Sequence, residues 1–482
     1  MHEKLFLASM SLTALLATSV LGRVILHNFP NSGDEWCYLL QAEIFSQGKL
    51  SVASPPHREF FDVGWMINNG AFYTQHPPGW PLVLAAGVLL GVPWLINPLL
   101  GMLTLLVVYA LGKTMYDTRV AAIALLLMLG SPFFLFNSAS YWAHPASLLF
   151  LTLSLLYFVK GLEAASVRSL VIGGLCGSLS FLIRPLEQVA FLVACGLFCL
   201  FHAVRHRQGL KAGSVFLGTH LVGVLLLLGY HTLQNGHPFV TGYQLAYSAT
   251  GAPNMLLTLP TWRYIDDYLL SLVVWTVPGL PLLAGGYSVA MLGRHAQGTR
   301  AREWDCLLLL SCASGIVVYA LVAYPSLVGY GPRYYYSLLG ALVLLAARGI
   351  VTWIAMPCSR RHRHSGSILG AGTLLVALFG LLTWHIARES AQLHQRMTLQ
   401  RMIEEQALHN AVVFIGASSG DFDPSDLTRN QLDFQGDVIY VLDQGKHNSV
   451  IMEQYPERRY FLYAYDQTTD RVALQEIFAR SP

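Results

Sequence analysis

In this chain of 482 residues, 54% are hydrophobic and 12% are charged, about half the charge fraction of a soluble globular domain. That excludes a wholly soluble protein, and a formal net charge of +3 gives no reason to invoke a nucleic-acid partner. A polytopic membrane protein remains, with room for about ten or more spans and one small domain.

The chain starts with His2, Glu3 and Lys4, then an apolar run to about Val20. It reads as an uncleaved first span, because apolar character resumes through Ile25 and no small-x-small cleavage site follows. Residues 28–93 form the first polar loop. Within it, Ser32 as N-cap and Glu35 three residues later make a capping box, and the acids of the first turn suit the helix dipole. Trp36, Leu39, Leu40 and Ile44 are spaced for an amphipathic surface helix ending at Gly48. Asp34 and Glu35 therefore have two compatible readings: the start of a helix, or a base held rigidly at the membrane surface. His76-Pro77-Pro78-Gly79-Trp80 follows, where the prolines fix an extended approach to a short apolar run. It reads either as a turn with an aromatic anchor or as a place where His76 meets a phosphate. The run 79–92 is too short to cross and reads as interfacial.

Apolar runs long enough to span fall at about 5–27, 94–112, 119–137, 145–160, 169–184, 186–203, 213–232, 267–291, 305–324, 335–356 and 367–387, about eleven in all. With 79–92 left out, the basic clusters Lys113/Arg119, Lys160/Arg168, Arg205/Arg207/Lys211, Arg294/Arg300/Arg302 and Arg360/Arg361/Arg363 share one side. The positive-inside rule makes that side the cytoplasm. The N-terminus is then cytoplasmic and the tail is outside.

Three more polar segments fall on the outer side under this topology. Tyr141-Trp142-Ala143-His144-Pro145 precedes the fourth span. Arg184 and Glu187 flank the turn before the sixth; they pair with each other at (i, i+3) or mark a functional charge in an apolar stretch. Gly331-Pro332-Arg333-Tyr334 precedes the tenth and reads as an aromatic belt with a snorkelling arginine or as part of a site. A transporter would scatter polar groups near the midplane and show repeated halves. Here Asp34, Glu35, His76, His144, Arg184, Arg263 and Arg333 gather at one face.

The tail, 388–482, is polar. A helix is expected over 388–409, strands over 411–416, 437–443 and 459–465, and a helix over 447–455. Asp421, Asp423 and Asp426 lack the glycine and distal glutamate of a calcium loop and read as a polar turn. The seven cysteines show neither metal spacing nor a disulfide framework.

Taken together, Asp34-Glu35, His76-Pro77-Pro78, the inner turn Tyr109–Arg119, Ser131-Pro132, Arg184-Pro185 and Gly331-Pro332-Arg333-Tyr334 resemble the GT-C membrane glycosyltransferases. The resemblance is greatest to the branch of protein O-mannosyltransferases and lipid A aminoarabinose transferases. Asn235-Gly236-His237-Pro238-Phe239 through Gly242-Tyr243-Gln244 resembles a segment of bacterial members. The resemblance covers residues 1 to about 350. It implies an all-α polytopic GT-C-like domain, 1–387, followed by a small extracytoplasmic α/β domain, 388–482. It implies an inverting transfer from a polyprenyl-phosphate sugar to a hydroxyl of a glycan, lipid or protein acceptor, outside the inner (plasma) membrane. Asp34 is then the general base and Glu35 a supporting carboxylate. Arg184, Arg333 and Tyr334 hold the donor phosphate. His76 stands where some relatives carry a phosphate-binding lysine, and His144 where some carry a second aspartate. His144, Tyr243 and Gln244 are candidates for the substrate pocket. The chemistry calls for no metal and no cofactor. The rival readings are a flippase or transporter of lipid-linked sugars and a non-catalytic lipid-binding scaffold.

Overall fold

The computed structural model describes residues 2–205, 208–250, 265–293, 300–321, 329–355, 372, 375–416, 424–466 and 471–477. Asp421, Asp423, Arg263, Arg294, Arg207 and the basic cluster at 360–363 lie outside these residues, as does part of the expected span 367–387.

Seven helices among the described residues are long and apolar enough to cross a membrane: His2–Ile25, Pro93–Met115, His144–Glu163, Pro185–Ala203, Gly209–Asn235, Arg300–Ala320 and Arg333–Ala355. Two more expected runs are bent pairs. α5 (Thr118–Leu129) meets α6 (Pro132–Ser138) at 68°, and α12 (Ile265–Trp275) meets Leu280–Ser288 at 117°. Prolines cause both breaks, since Pro132 and the Pro278-Gly279 pair interrupt the hydrogen-bond ladder. α8 (Val167–Ile183) is apolar with 17 residues. Each of the first ten expected runs thus has a helical counterpart. α3 (Gly79–Leu89) has 11 residues, about 16 Å of helix against about 30 Å of hydrocarbon, so it cannot cross.

Small residues bring the helices together. Gly173, Gly174 and Gly177 of α8 face α7 (His144–Glu163) and α10 (Gln208–Asn235), and a Cβ at Gly177 would overlap the His220 ring. This is the close approach that small residues allow between membrane helices.

The first polar loop holds α2 (Gly33–Ser46) and a small antiparallel sheet in the order β1-β3-β2 (Val52–Ala53, Ala71–Thr74, Met66–Asn68). The C-terminal domain follows α16 (Leu382–Arg396) and α17 (Thr398–Glu405). Its sheet has the order β5-β4-β6-β7. β4 (Ala411–Ile415) runs parallel to β5 (Val438–Leu442) and β6 (Arg459–Asp466), and β7 (Arg471–Ile477) is antiparallel. Sequence patterning anticipates β4, β5 and β6 but not β7. The domain also shares a core with the first loop. Cys37, Leu40, Phe60, Phe61 and Phe72 pack with Val412, Phe414, Phe434, Ile439 and Tyr460.

Candidate active site

Ser32 is extended (φ −159°), and its Oγ accepts from the Glu35 amide at 3.2 Å. The helix start is therefore capped as the sequence suggests. The reciprocal arm differs in detail. Glu35 Oε2 accepts from the Asn31 amide at 2.9 Å and from the Ser32 hydroxyl at 3.3 Å, and Oε1 accepts from the Tyr141 amide at 2.8 Å. Glu35 is thus a latch between α2 and the turn before α7, and both its oxygens are engaged in this latch. It is 1% exposed. Burial pushes its pKa up to about 7, against the pull of the Tyr141 and Asn31 amides and the Ser32 hydroxyl.

The sign of that shift makes a prediction. Glu35's contribution to stability is fully present below its ordinary value of 4.5 and is lost as pH rises through about 7. Glu35→Gln removes that dependence but turns an NH2 group toward donors, at a cost of about 1–3 kcal/mol. Thermal unfolding of the variant between pH 5 and 9 should start lower and fall less steeply than wild type. An unchanged slope would show that Glu35 does not titrate there. Glu389 of α16, also buried and pushed up to about 7, keeps part of the slope in both proteins.

Asp34, one residue before, makes different contacts. Its Oδ2 is 3.1 Å from Arg333 Nη1 and its Oδ1 is 3.2 Å from His76 Nε2. The side chain stays 17% exposed, so one side is open. Burial pushes its pKa up, but the Arg333 charge and the His76 hydrogen bond outweigh this and hold the carboxyl well below the usual carboxylate range.

His76 comes to Asp34 through the small sheet. The Thr74 amide donates to Gln41 Oε1 of α2 at 2.9 Å, and the His76 amide donates to Thr74 Oγ1 at 3.3 Å. The ring lies 4.7 Å from Tyr38, and Nδ1 is 2.9 Å from the Tyr243 hydroxyl. Arg333 follows Gly331, whose φ of +87° and lack of a side chain let the turn close on Phe133 and Trp275. The guanidinium lies 4.1 Å over Trp142 and 5.6 Å from the Tyr334 ring. Asn97 fixes the Trp142 turn by donating to the Ser140 and Trp142 carbonyls at 2.6 and 2.9 Å.

A second polar group adjoins the first across Tyr334. Arg184 is 5.7 Å from that ring. Its Nε pairs with Glu187 Oε1, and its Nη2 donates to the Tyr319 hydroxyl at 3.4 Å. Tyr319 stacks on Tyr334 at 4.9 Å and 4°. Glu187 also accepts from Ser147 at 2.7 Å and lies 3.4 Å from His144 Nδ1. Arg184 is paired with Glu187, as the (i, i+3) spacing allows, and it stands beside the Asp34 group.

Asp34, His76, Tyr243, Arg333, Tyr334 and Arg184 thus form one connected constellation. His144 sits behind it, fully buried against Glu187. Gln244 lies in the first turn of α11 (Gly242–Thr250): its Oε1 accepts from the Thr241 backbone amide at 2.8 Å, and its backbone N–H donates to Thr241 Oγ1 at 3.2 Å. Sequence reasoning missed Tyr38, Trp142 and Tyr319 as neighbours of the charges. Tyr38 had a signal, four residues after Asp34 on the same helix face. Tyr319, at the end of a plain apolar helix, had none. Among the described residues no group of three or more His, Cys, Asp or Glu side chains could hold a metal ion.

The chain is thus a multi-pass helical bundle with a carboxylate and two arginines gathered at one end. Residues 75–230 match the dolichyl-phosphate-mannose-protein mannosyltransferase family. Residues 411–480 match a domain of unknown function (DUF7846). The fold is that of ArnT from Cupriavidus metallidurans. The structure of ArnT bound to undecaprenyl phosphate aligns over 96% of this chain and 93% of its own, with 13% identity and a TM-score of 0.58. The apo state of ArnT gives the same coverage and identity with a TM-score of 0.57. The oligosaccharyltransferase AglB from Archaeoglobus fulgidus, in complex with an inhibitory peptide and a dolichol-phosphate, aligns over 80% of this chain and 56% of its own at 15% identity. Its TM-score is 0.48. Comparison with curated protein sequences finds no match.

Proposed function

We propose that the chain transfers a sugar from a polyprenyl phosphate to an acceptor hydroxyl, with inversion and with Asp34 as general base. The observation that carries this reading is the Asp34 carboxylate set between Arg333 and His76, with Arg184 across Tyr334. The donor phosphate docks on Arg333 and Arg184, whose planar guanidinium groups suit phosphate oxygens. Docking competes with Asp34 for Arg333 and frees the carboxylate to face the acceptor. The acceptor oxygen then attacks the anomeric carbon as its proton passes to Asp34. The bond from that carbon to the phosphate oxygen breaks, and its electron pair leaves on the phosphate. This leaving group needs no proton, and the arginines stabilise its charge. One displacement inverts the anomeric centre. Asp34 then returns its proton to water.

The undecaprenyl phosphate bound to ArnT supports a lipid-linked donor. The basic loops support a site on the extracytoplasmic side of the plasma membrane, with the N-terminus in the cytoplasm. Glycan, lipid and protein hydroxyls all fit the chemistry of the acceptor.

The test is transfer by the purified protein with a panel of polyprenyl-phosphate sugars, with the product's anomeric configuration read by NMR. At least one donor should yield an inverted product, and EDTA should leave the rate within about twofold, because arginines carry the leaving charge. A retained configuration, or activity lost to EDTA and restored only by a divalent ion, would overturn this mechanism. Movement of lipid-linked sugars across vesicles without transfer would favour the flippase.

A further inference from the structure

The C-terminal domain and the segment that carries Asp34 are held together by one side chain in particular. Arg429 follows the short turn Pro424–Leu427 of that domain. Its Nη2 donates to the Pro30 carbonyl at 2.9 Å. The guanidinium lies 4.0 Å from the Phe29 ring and 5.4 Å from Trp36. One side chain therefore grips the backbone four residues before Asp34 and an aromatic ring two residues after it. Its Nε donates to the Asp426 carbonyl at 3.1 Å, which ties the grip to its own turn. Beside it, the Thr428 hydroxyl donates to the Asp62 carbonyl at 3.0 Å. A Cβ at Gly33 would overlap Asp426 Oδ1, so the turn rests directly on the start of α2.

We propose that Arg429 is a positioning residue for the transfer reaction, making the C-terminal domain part of the reaction centre. The inference rests on Asp34 acting as the base. α2 has 14 residues, a length at which an isolated helix is marginal in water, so its first turn is placed by what surrounds it. Three contacts come from the helical bundle: Asp34 Oδ2 pairs with Arg333 Nη1 at 3.1 Å, Glu35 accepts from the Tyr141 amide at 2.8 Å, and Asn31 Nδ2 donates to the Tyr330 hydroxyl at 3.3 Å. Arg429 adds a contact from the C-terminal domain, and it meets both flanks of Asp34. The shared apolar core of the first loop and the domain backs this contact. Cutting the domain away would expose that core, so a point substitution is the cleaner probe. A misplacement of about 1 Å at a reacting group lowers a rate by about a hundredfold, so a partial loosening of this grip is visible in kcat.

The experiment compares Arg429→Ala and Arg429→Lys with wild type in the full chain. The donor is the polyprenyl-phosphate sugar that the wild-type chain uses, and the temperature is well below unfolding. Lysine can still reach the Pro30 carbonyl but cannot lie flat on Phe29 and Trp36. Arg429→Ala should lose about tenfold or more in kcat with donor KM within about twofold, and Arg429→Lys should fall between. A purely structural role would lower the unfolding midpoint and leave the kcat of the folded protein alone. Folded Arg429→Ala with wild-type kcat, or a loss confined to donor KM, overturns the proposal. If the alanine variant does not fold, wild-type kcat in Arg429→Lys overturns it. Asp34→Asn, assayed alongside, separates the two readings. If it retains activity, the base assignment fails. If it loses activity while Arg429→Ala keeps wild-type kcat, only the positioning role fails.

Discussion

Asp34→Asn should lower kcat for sugar transfer by about 10²–10⁴-fold, the range that a positioned general base contributes, while donor binding holds or tightens. The amide keeps the shape of the carboxylate but accepts no proton. It also leaves Arg333, now 3.1 Å from Asp34 Oδ2, without its counter-charge. The lipid phosphate then meets an arginine with no internal competitor, so donor KM stays level or falls. A uniform loss of binding would move KM instead. Asp34→Glu adds a companion result. One extra methylene displaces the carboxylate by about 1 Å, enough to cost about a hundredfold although the base is still present. Titration of donor into Asp34→Asn by native mass spectrometry or fluorescence, set beside initial rates, reads both quantities. A folded Asp34→Asn that transfers at the wild-type rate would remove the proposed mechanism.

The low pKa of Asp34 also shapes the pH profile. The carboxyl is held well below the usual carboxylate range, so it is ionised throughout the physiological span. The kcat/KM of wild type should show no acid limb from Asp34 between pH 5 and 8, because that profile reports groups of the free enzyme. An acid limb that persists in this window belongs to another group.

Much of this arrangement is legible in the sequence because its causes are local. Ser32 and Glu35 announce the start of α2, and the length of the apolar run after Trp80 is enough to keep α3 from crossing. The β-branched and aromatic composition of 411–416, 437–443 and 459–465 gives three strands of the final sheet. What escapes is non-local. The strands β1 to β3 have two to four residues each, too few to show a period, and they form because the loop folds back on itself. The core that joins Phe60, Phe61 and Phe72 to Phe434 and Ile439 links segments more than three hundred residues apart, and no pattern within either one predicts the other. Arg333 illustrates the same limit. Beside three tyrosines it suits a snorkelling arginine, yet it is 9% exposed and turns inward. Trp142, Tyr334 and Asp34 together draw its guanidinium inward. Glu35 and Asp34, adjacent in sequence, share a reading as carboxylates, but the helix turns them to different partners and so to different tasks.

Arg333→Met should lower kcat by about 10²–10³-fold, the loss expected when one preorganised group at a developing negative charge is removed, and it should also change the shape of the pH profile. Methionine keeps much of the apolar stem, so the packing against Trp142 is partly preserved. Two effects follow from the lost charge. The leaving phosphate loses an electrostatic partner, and that loss is the same at every pH where the phosphate keeps its charge. Asp34 loses the stronger of the two influences that hold its carboxyl down, since the Arg333 charge ranks ahead of the His76 hydrogen bond. Burial then acts with less opposition, and the pKa of Asp34 rises. At low pH the base is now protonated and cannot accept the acceptor's proton, so an acid limb enters the profile from below and part of the activity returns as pH increases. Arg333→Lys separates the two effects. It restores a positive charge near Asp34 and should push the acid limb back down, yet it cannot reproduce the planar contact with phosphate and Trp142, so kcat at high pH stays low. Initial rates from pH 5 to 9 for the three proteins measure both. If Arg333→Met keeps the wild-type profile and a rate within a few-fold of it, Arg333 neither carries the phosphate nor tunes the base.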